Sequence, residues 1–309
     1  MESEFLGWLQ QRLRTSPRAP LGLRDDAAWL RLGAAGGCVL TTDMLMDGVD
    51  FQLACTDARR AGRKALAVNL SDLAAMAASP RAALVSLALP RAGGRRLAEQ
   101  LYEGLLALAD EYDVTIAGGD TNSWDGPLVI SVTAVGEATS RGVLQRSGGR
   151  PGDVVVVTGT FGGSILGRHL DFSPRVREAL HLHSRYELHA GIDVSDGLSL
   201  DLARLAEASG CGAVIEPRHV PIAREVQQLV NAEGPGKSPL AHALSDGEDF
   251  ELIVALSPEE AARLLREQPL EVPLTAIGTL TSELGLWEQV DAAHRVPLAP
   301  QGYLHDFTP

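Results

Sequence analysis

Lys64-Ala65-Leu66-Ala67-Val68-Asn69-Leu70-Ser71-Asp72-Leu73-Ala74-Ala75-Met76 is the stretch from which the rest of the chain is read. Its Ala and Leu content predicts a helix over Arg59 to Ala78, with a hydroxyl and a carboxylate, Ser71 and Asp72, set into it. Five further short motifs place aspartates beside small or hydroxyl residues: Asp25-Asp26, Thr41-Thr42-Asp43, Gly118-Gly119-Asp120-Thr121, Asp193-Val194-Ser195-Asp196-Gly197 and Asp246-Gly247-Glu248-Asp249. Any one of them is open to a plain alternative, because Ser and Asp ahead of a helix cap its free N–H groups. Six together point to hard cations such as Mg²⁺, which take oxygen ligands and share their shell with phosphates. The expectation is a polyphosphate held through several metal ions.

The formal charge of −13 excludes a phosphate-backbone surface, which needs clustered Lys and Arg, so no nucleic-acid partner is expected. A 45% hydrophobic and 5% aromatic composition predicts a folded globular protein, and 309 residues suffice for two lobes with separate cores. Cys38, Cys55 and Cys211 lie too far apart for a zinc or disulfide framework. The segment Met1 to Leu9 has no basic start followed by an apolar run, and no apolar stretch reaches the ~20 residues of a membrane span. The protein is therefore expected in the cytoplasm, away from membranes.

Strand-like and helix-like segments alternate. Helices are expected over Glu4 to Arg14, Leu97 to Tyr112, from Ser164 onward, after Gly197 to near Gly210, and over Pro258 to Glu267. Strands are expected over Cys38 to Thr42, Ala82 to Leu89, Val114 to Ala117, Leu128 to Val135, Val154 to Thr158, Phe250 to Leu256 and, as the last, Thr275 to Leu280. Val114 to Ala117 would deliver Gly118-Gly119-Asp120 at its end. The turn-rich stretch Ser147 to Asp153 marks the joint between lobes 1–145 and 146–309, an α+β chain. Val68 to Leu73 and Ile192 to Gly197 both run from an apolar stretch through Ser-Asp into a helix, which reads either as an internal duplication or as two N-caps.

The usual nucleotide signatures are missing. With only Lys64 and Lys237 there is no P-loop lysine, and Gly159-Thr160-Phe161-Gly162-Gly163 is either a phosphate cradle or a tight structural turn. His181, His183 and His189 form a cluster that reads as solvated, with a metal site as the alternative.

In order, Asp25-Asp26-Ala27-Ala28, Thr41-Thr42-Asp43, the Lys64 to Met76 block, Gly118 to Thr121, Arg146-Ser147-Gly148, Pro151-Gly152-Asp153, Val157 to Thr160, Ile192 to Leu198, Gly247 to Leu252 and Gly302-Tyr303 resemble the thiamine-monophosphate kinases, relatives of aminoimidazole ribonucleotide synthetase. The resemblance covers nearly the whole chain. It implies an N-terminal α/β lobe whose strands pair across a homodimer into a β-barrel, with a C-terminal α/β lobe over the nucleotide. It implies metal ligands at Asp26, Thr41, Thr42, Asp43, Asp72, Asp120, Asp193 and Asp196, ATP contacts at Gly119, Asp120, Arg146 and Ser195, and acceptor contacts at Glu248 and Tyr303. For Arg146 a surface salt bridge, and for Tyr303 packing of the C-terminal tail, are the plain alternatives.

The implied reaction is Mg²⁺-dependent transfer of the ATP γ-phosphoryl group to thiamine monophosphate. It needs no designated base, because a phosphate acceptor is already anionic. The chain departs from the family pattern where the acceptor would sit. Asp50 stands where histidine is usual, Thr121 to Pro127 is longer and lacks arginine, and Asp246-Gly247 replaces Gly-Gly. Another small acceptor, or a non-catalytic nucleotide-binding dimer, are the alternative readings.

Overall fold

The computed structural model describes residues 25–31, 37–233 and 236–305. The helix expected over Glu4 to Arg14 lies outside them. The first lobe contains β1 (Ala28–Leu30), β2 (Cys38–Met46), α1 (Ala58–Ala75), β3 (Ser79–Pro90), α2 (Gly94–Glu111), β4 (Thr115–Trp124) and β5 (Val129–Glu137). Its sheet runs β1-β2-β5-β3-β4, antiparallel except for the β3/β4 pair, whose parallel course requires the crossover helix α2.

Alternation along these strands turns Val39, Leu45, Val85, Leu87, Ile130 and Val132 inward under α1 and α2. The two helices touch backbone to backbone. A side chain at Gly62 would meet the Leu101 carbonyl at 2.0 Å, and one at Gly104 the Arg59 carbonyl at 1.8 Å. The other face of the sheet is open, with Met44 62%, Leu84 45% and Trp124 45% exposed. The described part of a single chain thus holds an open sheet and no closed barrel.

The second lobe contains β6 (Val154–Thr158), α3 (Arg168–Asp171), α4 (Val176–Arg185), β7 (Leu188–Asp193), α5 (Leu198–Ala208), β8 (Gly212–Ile215), α6 (Val226–Glu233), α7 (Pro239–Ser245), β9 (Leu252–Leu256), α8 (Pro258–Glu267), β10 (Leu274–Thr281), β11 (Leu286–Gln289) and β12 (Arg295–Pro297). Its sheet runs β12-β11-β8-β10-β6-β9-β7. The apolar run Val154 to Val157 is central. Val155 and Val157 face α5 through Leu198, Leu202 and Leu205, while Val156 faces the opposite layer with Leu264 of α8. A strand covered on both sides reads as a continuous apolar run, which is why its bounds are legible from sequence.

Helix α1 belongs to both lobes. Asp57 caps its start by accepting from Arg59 N at 2.8 Å. Its Leu66, Leu70 and Leu73 pack in one core with the first sheet and with Leu170, Phe172, Phe250 and Leu252 of the second lobe. Arg60 pairs with Asp171 at 2.5 Å and Arg63 donates to the Phe172 carbonyl at 2.6 Å, adding polar ties at its exposed end.

Several expectations are corrected. Gly118-Gly119-Asp120 lies inside β4 and not past its end, because strand β3 runs alongside as far as Trp124 and its hydrogen bonds override the glycines' turn tendency. The segment after Ser164 is a 3₁₀ turn and the single turn α3, with a full helix only from Val176. Thr275 to Leu280 is followed by two further strands, β11 and β12, at the sheet edge. Ser71-Asp72 sits late in α1, whereas Ser195-Asp196 precedes α5, so the two matching segments are not equivalent elements. Neither pair caps its helix: α1 is capped by Asp57, and α5 starts after Gly197 without a side-chain cap.

Candidate active site

Strand β2 sends Thr41 and Asp43 to the inner face and Thr42 to the outer one. On the inner side the Thr41 hydroxyl donates to Asp72 of α1. One residue earlier on α1, Ser71 Oγ donates to Asp193 Oδ2 at the end of β7, 2.5 Å away. Beside them Asp26 pairs with Arg146, whose backbone N–H donates to Asp25 Oδ1 at 3.1 Å. Three segments of the first lobe and two of the second thus bring Asp26, Asp43, Asp72 and Asp193 into one electrostatic group.

That grouping is costly while it is negative. Burial, then Asp43, Asp193 and Asp26, hold the Asp72 carboxyl well above the usual carboxylate range. Burial, then Asp26, does the same to Asp193, and burial with Asp50 pushes Asp43 up to about 6. Burial and the Asp26 charge push Asp25 to about 7. Asp26 Oδ2 and Asp43 Oδ2 are buried with no hydrogen-bond partner. Buried carboxylate oxygens without donors, crowded by like charges, fit a divalent cation. Among the described residues no three Asp, Glu, His or Cys side chains form a complete cage. Mg²⁺ does not require one, since it keeps waters and phosphate oxygens in most of its positions.

Asp120 is elsewhere. Register places it on a lateral row with Ser86, Ser131 and Met44, on the exposed face of the first sheet, while Asp43 shares the inner row with Val132, Val85 and Gly119. Thr42 faces the same open side, its Oγ1 3.0 Å from that of Thr133. The structure thus brings Thr41, Asp43, Asp72, Asp193 and Asp26 together and puts Thr42 and Asp120 on the opposite face. Gly119 cannot carry a side chain, since a Cβ would sit 1.8 Å from the Val85 carbonyl at its φ of +158°.

The remaining expected residues lie on loops of the second lobe and on the turn after β2. Glu248 N donates to the Ser195 carbonyl at 2.6 Å and Tyr303 N to the Asp196 carbonyl at 2.9 Å, so three loops are stitched side by side. Tyr303 is 50% exposed, and its ring meets His305 edge-on at 5.0 Å. Asp196 pairs with Arg204, which also holds Asp201 at 2.8 Å. The Asp50 carboxylate accepts from Met46 N at 2.6 Å, which closes its own turn. Arg146, paired with Asp26 and with its side chain only 20% exposed, makes no surface bridge.

The Gly159 to Gly163 segment is a structural turn. Gly162 N donates to both Asp249 oxygens at 3.0 and 3.1 Å, and Gly163 N to Asp246 at 3.4 Å, so carboxylates already satisfy the N–H groups a phosphate would use. His189 is tied to Asp153 at 2.8 Å.

Sequence reasoning missed three groups. Lys64 is fully buried, donating to the Asp50 carbonyl at 2.8 Å and pairing with Glu248. Asp201, with burial and then Asp196 pushing it to about 7, accepts from Asp196 N and Gly197 N at 3.0 Å each. Ser71 links the two Ser-Asp motifs. Lys64 left a signal as one of two lysines, set in an otherwise Ala- and Leu-rich helix, and Ser71 as the hydroxyl beside Asp72; Asp201 left none.

Family models for AIR synthase related protein match the chain in two parts, the N-terminal domain over residues 24–138 and the C-terminal domain over 150–286. Thiamine-monophosphate kinase of Rhodopirellula baltica is 44% identical over 100% of this chain and 98% of its own. The Escherichia coli K12 enzyme of that name is 35% identical over 94% of this chain and 93% of its own. The solved structure of AaThiL complexed with AMPPCP and TMP superposes with a TM-score of 0.84 at 28% identity, covering 99% of this chain and 97% of that one. A hydrogenase maturation protein HypE, 22% identical with a TM-score of 0.71 over 94% and 96% of the two chains, shares the fold. With this coverage at both levels, and with the carboxylate cluster assembled from the motifs that carried the resemblance, the chain belongs to the thiamine-monophosphate kinase family of AIR synthase related proteins.

Proposed function

We propose that the chain transfers the γ-phosphoryl group of ATP to thiamine monophosphate, giving thiamine diphosphate and ADP, with Mg²⁺ as the cation. The observation that carries this reading is the crowded set Asp26, Asp43, Asp72 and Asp193, with two unpartnered buried oxygens, in a chain of this family. A bound Mg²⁺ would supply neutralisation of the phosphates; Asp43 and Asp72 would hold it from the first lobe and Asp26 and Asp193 from the seam. Thr41 and Ser71 orient two of those carboxylates by donating to them. Thr42 and Asp120 would meet metal and nucleotide from the open sheet face, Gly119 from the inner row of Asp43, Ser195, Asp196 and Arg146 from the second lobe, and Glu248, Asp50 and Tyr303 would lie toward the acceptor. No side chain is needed as general base, so positioning and charge carry the catalysis.

A phosphorylation assay with ATP and thiamine monophosphate, read by chromatography of thiamine diphosphate, tests the reading. Turnover with Mg²⁺ that vanishes in EDTA is expected; ATP consumption without thiamine diphosphate would favour another small acceptor.

The lobes would divide at residue 145, and we further propose a cytoplasmic homodimer through the open face of the first sheet. Met44, Leu84 and Trp124 leave that face partly apolar, and pairing across a two-fold axis would cover it and complete a barrel. Among the described residues no helix is long and apolar enough to cross a membrane. Met44→Asp with Leu84→Asp should turn a sedimenting dimer into a monomer; a monomeric parent protein refutes the assembly.

A further inference from the structure

We propose that Lys64 is a positioning residue for the acceptor side of the site, coupling the Asp50 turn of the first lobe to the Glu248 loop of the second. The inference rests on the acceptor reading above.

Lys64 projects from α1, and its side chain has no exposed surface. A buried ammonium is tolerated only where its donors are met, and it has three in free rotation about one carbon. One goes to the Asp50 carbonyl at 2.8 Å and one to Glu248 Oε1. Both recipients are backbone-constrained. Asp50 closes its own turn onto Met46 N, so pulling on its carbonyl fixes the whole 46–50 segment. Glu248 has a φ of +54° and Phe250 of +51°, conformations that side chains rarely adopt and that persist only where the surroundings over-determine them.

The surroundings supply several such ties, among them the Phe250 N–H to the Val194 carbonyl at 2.8 Å. Glu248 N binds the Ser195 carbonyl at 2.6 Å, and the Glu248 carbonyl accepts from Ser164 Oγ at 2.6 Å. The Phe250 ring stacks on Phe172 at 4.0 Å. Lys64 is the polar tie from the first lobe, beside the apolar core that Phe250 shares with Leu66, Leu70 and Leu73 of α1. It is also the one that neutralises the Glu248 carboxylate, which would otherwise face an anionic phosphate acceptor. Removing it frees Glu248 toward the acceptor as a repelling charge and loosens both segments, while the Asp26, Asp43, Asp72 and Asp193 group keeps its own contacts.

Lys64→Met in the full chain, followed by hydrogen exchange over 46–51 and 246–251, should raise exchange in both segments about tenfold or more. Steady-state kinetics should show KM for thiamine monophosphate rising about tenfold while KM for ATP changes less than about threefold, with Lys64→Arg recovering most of the loss. Exchange that stays at the parent level in either segment, or parallel rises in the two KM values, overturns the proposal. If the methionine variant fails to fold, Glu248→Gln carries the same two measurements, with both segments expected to loosen and Lys64→Arg expected to stay near the parent. If the parent protein does not phosphorylate thiamine monophosphate at all, the functional reading falls while the exchange experiment still decides the role of Lys64.

Discussion

Two Ser-Asp pairs, Ser71-Asp72 and Ser195-Asp196, look alike in sequence and sit about as differently as the fold permits. The first lies inside α1, where the helix already satisfies the backbone and the side chains are free to reach across the lobe seam. Ser71 is 1% exposed and spends its hydroxyl on Asp193, and Asp72 is crowded by three carboxylates. The second lies in the loop between β7 and α5, where the backbone carbonyls bind Glu248 N and Tyr303 N and the Asp196 carboxylate is 31% exposed against Arg204. The lesson is that one dipeptide builds the charge centre with its side chains and the other builds the loop frame with its main chain.

Substitution at the two aspartates should separate them most. Asp72→Asn removes a central carboxylate; since losing a mere outer-shell partner costs about 10–100-fold, a direct ligand should cost on the order of 10³-fold in turnover. Asp196→Asn, at the rim, should cost about tenfold. Equal losses in a steady-state assay would dissolve the distinction.

The serines sharpen it through stability. Ser71→Ala deletes a buried bond to a carboxyl group worth about 2 kcal/mol, lowering Tm by roughly 4–8 °C. Ser195→Ala should shift Tm by less than about 2 °C while raising KM for ATP. Calorimetric melting of both variants without Mg²⁺ checks the pair.

A third test uses pH. The raised folded-state pKa values, about 7 for Asp25 and about 6 for Asp43, mean that the native state binds more protons than the unfolded chain above pH ~4. Their contribution to stability is therefore present at low pH and is lost as pH rises through about 6 to 7. Relative to the parent protein, metal-free Asp72→Asn should gain Tm as pH goes from 5 to 8, by a few degrees, and Mg²⁺ should remove the gain. A pH-independent difference would mean that the carboxylates do not repel one another.

Smallest is the effect at the acceptor turn. Asp50→His should lower KM for thiamine monophosphate by about tenfold or less, because a histidine can donate where an aspartate only accepts. Unchanged kinetics would confine residue 50 to the turn that it closes.

The contrast between the pairs also marks what the sequence could tell. Val154 to Thr158 and Pro258 to Glu267 were legible to the residue, the first because it is covered on both faces and the second because Ser257 caps it, accepting from Glu260 N at 3.3 Å, with Pro at its start. The carboxylates of the cluster were legible because each sits in a short motif. Their partition was not: the inward turn of Asp43 and the outward turn of Asp120 follow from strand register, and the residues paired with Asp120 lie in other strands. Likewise the role of Ser71 depends on Asp193, 122 positions away, and that of Lys64 on Glu248, 184 positions away. Short edge strands such as Arg295–Pro297 carry too few residues for any periodicity to register.

Helix α1 has a consequence for motion. Because its Leu66, Leu70 and Leu73 are fully buried in a core that includes elements of both lobes, opening the molecule like a clamshell would have to split that core. Swinging one lobe away would expose apolar surface along several turns of helix at once, a cost closer to unfolding than to breathing. Entry and exit of ligands are thereby left to segments outside this shared wall, such as the 301–305 stretch. The traffic of the site would then keep the nanosecond-to-microsecond clock of loops and escape the slower one of domains.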